Sequence, residues 1–352
     1  MTEAVHPVAR EIVREVVREV FGPGASVPFS ARLPGGASRE TWALDVLDGD
    51  ERHELILRLD SPGAALEAGG GLASEATLMR AAAGAGVPVP RIVAAAQSYI
   101  LMMRVAGETI PRRILRDEAY AEVRPRLAAQ CGEALAAIHR MPLSALPSVA
   151  SAADGPTPAS ADAPATASGG APAPVADDRL APASDDPLRQ WRAALDQTGE
   201  PHPVFELAFR RLAATRPPAS RRTVVHGDFR NGNLIVGPEG IRAVLDWELA
   251  HAGDPVEDLG WLCVKAWRFG SPLPVGGFGD YDELVTAYEK AGGQPVDRDA
   301  LRWWETFGVL KWGVICVMQT MRQQRGGARS VELAAIGRRV CENEWDLLRL
   351  LG

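Results

Sequence analysis

His226, Asp228 and Asn233 fall within one short run, Val225-His226-Gly227-Asp228-Phe229-Arg230-Asn231-Gly232-Asn233-Leu234-Ile235-Val236. An apolar stretch leads into a glycine-bearing turn, and a second apolar stretch leaves it. Shortly downstream, Ala243-Val244-Leu245-Asp246-Trp247-Glu248 places another carboxylate at the end of an apolar run. Asp228, Asn233 and Asp246 can therefore converge where short strands end. Side chains of this type hold hard cations, and hard cations bring phosphates with them. The pattern points to phosphoryl transfer.

The division of labour follows from the residue types. A hydroxyl attacking a γ-phosphate needs an acceptor for its proton, and Asp228 on a rigid turn provides one. Asn233 and Asp246 supply a neutral and a charged ligand for Mg²⁺, the arrangement found where a kinase positions its metal. His226 on such a turn more often holds the backbone in shape than reacts. Taken alone, the spacing of His226, Asp228 and Asn233 also fits a polar turn with a chance asparagine; the later Leu245-Asp246-Trp247-Glu248 argues against that.

The rest of the chain must position these groups. Its 352 residues suffice for a two-lobed domain, with 46% apolar and 24% charged residues. The net charge of −7 argues against nucleic acid as the main partner. Cys131, Cys263, Cys316 and Cys341 are scattered, with no metal-type or disulfide-type spacing. A reduced cytoplasm is expected, with no secretory segment. The apolar stretch from Phe307 to Met321 contains Lys311, is too short to span a bilayer, and reads as a buried helix.

Residues 8–20 have helical spacing, ended by Gly22-Pro23-Gly24. Ser38–Val46 and Glu54–Leu59 read as a hairpin about Asp48-Gly49-Asp50, preceded by a glycine-rich turn. Residues 72–83 read as a helix, 98–105 as a strand, and 118–139 as one long amphipathic helix. Between 146 and 186 the composition falls to mainly Ala, Pro, Ser, Gly, Thr and Asp, which predicts a disordered insertion. Helices are expected from Trp191, then a hairpin beginning near Val224, then helices again after Asp258. The expected fold class is α+β: a small mixed lobe over 1–105 and a large, mainly helical lobe over 106–352.

His226-Gly227-Asp228 through Asn233, then Leu245-Asp246-Trp247-Glu248, then Gly253-Asp254-Pro255 and Asp258-Leu259, resemble the aminoglycoside phosphotransferase and choline-kinase-like family. The details Phe229-Arg230 and Trp247-Glu248-Leu249 are similar to a branch associated with acyl-CoA dehydrogenases and hydroxyacyl-CoA kinases. The resemblance covers nearly the whole chain outside the insertion. It implies a protein-kinase-like fold and a small-molecule kinase using ATP and Mg²⁺. It also implies a small-lobe cation on the nucleotide phosphates. Lysine occurs only at Lys265, Lys290 and Lys311, so that cation is expected to be Arg58, within Leu55-Ile56-Leu57-Arg58-Leu59. Glu75 is its expected ion-pair partner. Gly36 and Ser38, in Gly35-Gly36-Ala37-Ser38, would cover the phosphates. The strand from Ile100 to Val105 would present the backbone of Met103 and Val105 to adenine, with Glu108 facing ribose or water. His226, Arg230, Glu248 and Asp258 would support the site, with Asp258 bracing the catalytic turn from behind.

Two other readings are open to the sequence. One is a non-catalytic nucleotide-binding regulatory protein on the same fold. The other is a metal-dependent hydrolase drawing on His226, Asp228, Asp246 and His251. The expected acceptor is the hydroxyl of a small molecule, with hydroxyacyl-CoA slightly favoured over an aminoglycoside. Arg322, Arg325 and Arg329 are candidates for acceptor phosphates. A protein acceptor is disfavoured, because little chain separates Asp246 from Asp258.

Overall fold

Alternating burial shapes the small lobe. In β3 (Glu51–Asp60), Leu55, Leu57 and Leu59 are buried on one face, while Ile56 and Arg58 lie on the other. The leucines join Trp42, Leu44 and Val46 of β2 (Arg39–Asp48) in one core. The helix α1 (Pro7–Phe21) closes that core with Val13, Val16 and Val17, at helical spacing. Each such leucine contributes about 1.5–3 kcal/mol by leaving water. A two-residue turn joins β2 to β3, with Asp48 paired to Glu51 and Gly49 at φ +58°. The computed structural model describes residues 7–33, 39–60, 71–147, 186–218, 220–324 and 335–352.

The full sheet is antiparallel, in the order β1-β2-β3-β5-β4. Here β1 is Ser26–Leu33, β4 is Ile92–Ala95 and β5 is Tyr99–Met103. Neither β1 nor β4 was expected from the sequence. The helix α2 (Gly71–Gly84) lies on the Ile56 and Arg58 side, so Glu75 comes up against Arg58. All of these elements precede residue 105.

The large lobe is built on α4 (Leu127–His139), whose Leu127, Cys131, Leu135 and Ile138 are fully buried. Before it comes the short α3 (Pro111–Arg116). The single helix expected over 118–139 is a correction. Residues 118–126 hold two 3₁₀ turns, and the α-helix starts only at Leu127. Pro125 lacks an amide and disfavours helical backbone at the residue before it. The helices α5 (Pro187–Thr198) and α6 (Pro203–Ala214) follow. The expected 146–186 insertion lies almost wholly outside the described residues.

The strand pairing near residue 224 is a second correction. β6 (Thr223–Val225) does not form a hairpin with the next strand; it pairs with β9 (His251–Gly253). The hairpin is β7 (Leu234–Gly237) with β8 (Gly240–Val244). Because β6 and β7 sit in different ladders, the 226–233 segment is free to wrap around a site. Then come α7 (Val256–Cys263), α8 (Tyr281–Lys290), the long α9 (Arg298–Gln324) and α10 (Val340–Leu351). The expected buried helix over Phe307–Met321 is the centre of α9. No helix among the described residues is long and apolar enough to cross a membrane.

Candidate active site

The turn after β6 is held from behind. The carboxylate of Asp258 is completely buried at the start of α7. It accepts the backbone amides of His226 at 2.7 Å and Gly227 at 2.9 Å. Its third partner is His139 Nε2 at 3.1 Å, and His139 Nδ1 lies 2.9 Å from the Tyr288 hydroxyl. Burial opposes ionisation of Asp258, but the hydrogen bond and charge of His139 hold its pKa below the usual carboxylate value. Gly227 has φ +82°, and a Cβ there would meet the Leu249 carbonyl at 2.4 Å. Only glycine fits.

His226 is consumed by this architecture. Its Nε2 donates to the Leu245 carbonyl at 3.1 Å, and its Nδ1 accepts the Asp228 amide at 3.2 Å. Burial lowers its pKa, so the ring is neutral. It shapes the loop and offers no lone pair to a metal. His251 pairs with Glu257 at 3.3 Å. The set of histidine ligands that a hydrolase would need is therefore not assembled, and no cluster of three His, Cys, Asp or Glu side chains suited to a metal occurs among the described residues.

Asp228 carries three donors. Trp261 Nε1 gives a hydrogen bond to Oδ1 at 2.8 Å, Asn233 Nδ2 to Oδ2 at 2.6 Å, and Arg230 Nε lies 3.1 Å from both oxygens. Arg230 also stacks on Trp267, 4.7 Å from the ring centre. Trp261 was not anticipated from the sequence. Its indole fixes the rotation of the carboxylate, so Trp261→Phe, which keeps the ring and loses the donor, is expected to lower kcat roughly tenfold. Unchanged kcat in steady-state assays would contradict this role.

Below the turn lies a buried cation that the sequence also did not reveal as part of the site. Lys311 of α9 donates to the Gly227 carbonyl at 3.2 Å, sits 3.4 Å from Glu257, and lies 4.6 Å from the Trp261 ring centre. Glu257 links it to His251, which is partly buried. Burial disfavours protonation of His251, but the Glu257 charge outweighs it and raises the pKa. A raised folded-state pKa gives stability that is complete below the unfolded imidazole value and is lost as pH rises through the folded one. Denaturant unfolding followed as pH rises from below the unfolded imidazole value of about 6.5 should therefore show the native chain losing more stability than His251→Gln. Parallel losses would exclude the linkage.

Asp246 occupies left-handed backbone, φ 68°, a conformation that Asp tolerates better than most residues. The Leu245 amide donates to the Asn233 carbonyl at 2.8 Å, and Leu234 pairs with Val244. Asn233 and Asp246 therefore share one end of the β7–β8 hairpin. With its Nδ2 turned to Asp228, Asn233 keeps Oδ1 as an acceptor. Asp246 keeps carboxylate oxygens at a partly exposed position. Two oxygen donors of this kind, completed by phosphates and water, suit Mg²⁺.

Arg58 reaches this segment from the small lobe. One arm makes a short ion pair with Glu75, and the other lies 3.5 Å from Asp246 Oδ1. Burial opposes the Arg58 charge, yet Glu75, Asp246 and Glu248 together raise its pKa. Arg39, unremarked in the sequence, joins the same group through Glu75 and Glu248. Burial and the neighbouring Asp246 push the Glu248 carboxyl up to about 7, against the pull of Arg39.

The remaining expected contacts are mixed. Gly36 and Ser38 lie outside the described residues, as do Arg325, Arg329 and the Arg322 side chain. The Met103 amide is taken by the Arg91 carbonyl at 2.9 Å, and the Arg104 amide by the Glu54 carbonyl at 2.9 Å. The Met103 amide is thus engaged within the protein, and among the described residues no hydrogen bond is made to the Val105 amide. Glu108 is held by the protein. Its carboxylate accepts the Thr109 and Ile110 amides and pairs with Arg113, fixing the entry to α3.

Comparison with known proteins agrees with this geometry. The sequence pattern of the Phosphotransferase enzyme family matches residues 31–304. Acyl-CoA dehydrogenase family member 10 of Mus musculus is 29% identical over 258 residues, covering 70% of this chain and 21% of that protein. The chain thus spans about a fifth of the length of that relative. A candidate aminoglycoside phosphotransferase from Ralstonia eutropha JMP134 superposes with a TM-score of 0.67 at 20% identity, covering 97% of this chain and 98% of the other. A spectinomycin phosphotransferase solved with ADP and spectinomycin gives 0.60 at 13% identity, covering 96% and 98%. At these identities the likeness establishes the two-lobed kinase-like fold.

Proposed function

Because the chain belongs to the Phosphotransferase enzyme family, we propose that it transfers the γ-phosphate of ATP, with Mg²⁺, to a hydroxyl of a small molecule. The observation that carries this reading is the meeting of two half-sites. Asp228, Asn233 and Asp246 gather at one end of β7–β8, and the Arg58–Glu75 pair faces them 3.5 Å from Asp246. Asp228 is the catalytic residue: its carboxylate receives the hydroxyl proton as the acceptor oxygen bonds to the γ-phosphorus and the bond to the bridging oxygen of ADP breaks. Arg58, oriented by Glu75, holds the phosphates. Asp246 and Asn233 would hold Mg²⁺, which when bound neutralises charge on the phosphates. The 226–233 loop, braced by Asp258, keeps Asp228 from moving. Val105 offers its amide to the nucleotide base, and Gly36 and Ser38 lie in the segment proposed to cover the phosphates.

The surroundings of Asp228 favour an acyl-type acceptor over an aminoglycoside. A polycation calls for carboxylates, but the side chains bonded to Asp228 are Arg230, Trp261 and Asn233, with Trp267 stacked on Arg230. An uncharged or anionic acceptor suits a carboxylate flanked by a guanidinium and an indole better than a polycation does. The test is ATP consumption across a panel pairing 3- and 4-hydroxyacyl-CoA thioesters with aminoglycosides. Turnover with thioesters supports the reading, and turnover with aminoglycosides alone overturns the acceptor assignment.

A further inference from the structure

Arg39 opens β2, directly after the segment that holds Gly36 and Ser38, and its side chain is only 9% exposed. It touches three carboxylates from three parts of the fold. Its Nη1 lies 2.7 Å from Glu75 Oε2 and 2.9 Å from Glu248 Oε2, and its Nε lies 3.2 Å from Asp60 Oδ1. Glu75, with a side chain 2% exposed, is thus divided between two guanidiniums: one oxygen serves Arg58 and the other Arg39.

The consequence is a paired bridge across the cleft. Arg58 reaches Asp246 and Arg39 reaches Glu248, and both cations are anchored on the same small-lobe carboxylate. Between Asp246 and Glu248, the buried Trp247 fixes the segment to the large lobe through the Val244 carbonyl at 3.2 Å. The two bridges therefore report on one rigid piece of backbone. If Arg58 turns to the nucleotide phosphates, its hold on Asp246 is given up. Arg39 keeps its own hold on Glu75 and Glu248, and so preserves the register of the two lobes while Arg58 is redirected. A lysine at position 39 could not do this, because a point charge lacks the planar fork that reaches several carboxylates at once.

We propose that Arg39 is a positioning residue that ties the Arg58–Glu75 pair to the Asp246–Glu248 segment and so holds the two lobes in register while Arg58 turns to the nucleotide. This rests on the phosphotransferase reading above. Calorimetric titration of Mg-ATP into the full chain and into Arg39→Met and Arg39→Lys tests it. Arg39→Met should bind Mg-ATP about tenfold more weakly, within the usual range of coupling between linked sites, and Arg39→Lys should fall between the two. In turnover, KM for ATP should rise more than kcat falls. The double variant Arg39→Met/Glu248→Ala should bind no more weakly than the weaker of its two single variants, because both remove one bridge. Should Arg39→Met fail to fold, Arg39→Lys carries the test. Wild-type affinity in either folded variant overturns the Arg39 proposal alone. Failure of the unaltered chain to bind Mg-ATP overturns the phosphotransferase reading itself.

Discussion

Asp228→Asn lowers kcat by roughly 10²- to 10⁴-fold, the usual contribution of a positioned general base, and leaves Mg-ATP affinity almost unchanged. The change removes the charge that takes the acceptor proton. The amide also cannot accept as the carboxylate does: three donors converge on the native carboxylate, from Trp261, Asn233 and Arg230, and an asparagine retains a single acceptor oxygen. The loss therefore combines absent basicity with a rotated side chain. Nucleotide affinity is spared because the small-lobe contacts run through Arg58, Glu75 and Asp246, none of which bonds to Asp228. Parallel calorimetry and initial-rate assays separate the two quantities. Turnover near the native rate would place the base elsewhere.

Asp258→Ala is expected to produce the largest loss of stability, about 3–5 kcal/mol, the cost of removing one partner from a buried charged pair. Three groups lose their acceptor at once: the amides of His226 and Gly227 and the ring of His139. None of them gains access to water, because Asp258 and its surroundings are fully buried. The turn that carries Asp228 then loses its rear support, so folded protein should also be nearly inactive. Guanidinium unfolding of the variant and the native chain measures the effect. A change under about 1 kcal/mol, the level of an ordinary neutral hydrogen bond, would mean that the turn is held by other contacts.

Much of the site was legible because its elements are local. The spacing from His226 to Asn233 carries a loop, and period two in Leu55–Leu59 sets Arg58 on the face opposite the leucines. Arg58 pairs with Glu75, and Asp258 accepts the amides of His226 and Gly227. What escaped the sequence depends on distant partners. Nothing local to Trp261 says that its indole meets Asp228. Lys311 read as a lone charge in an apolar helix, and its partners Gly227 and Glu257 come from another part of the chain. Arginine dominates the cations of this chain, so Arg39 had no distinguishing mark. The three-residue β6 shows its strand character but not its pairing with β9. Pro125 stands just before Leu127, where the α-helix starts, and the apolar periodicity of 118–139 runs past that break.

The central claim is that Asp228 draws the proton from a small-molecule hydroxyl during transfer from ATP. Mass spectrometry of reactions containing ATP, Mg²⁺ and each hydroxyl acceptor tests it most directly. The expected result is an acceptor that gains one phosphoryl group with the native chain and gains none with Asp228→Asn. A native chain that binds Mg-ATP yet phosphorylates no acceptor in the panel, or an Asp228→Asn variant that phosphorylates as well as the native chain, would contradict it.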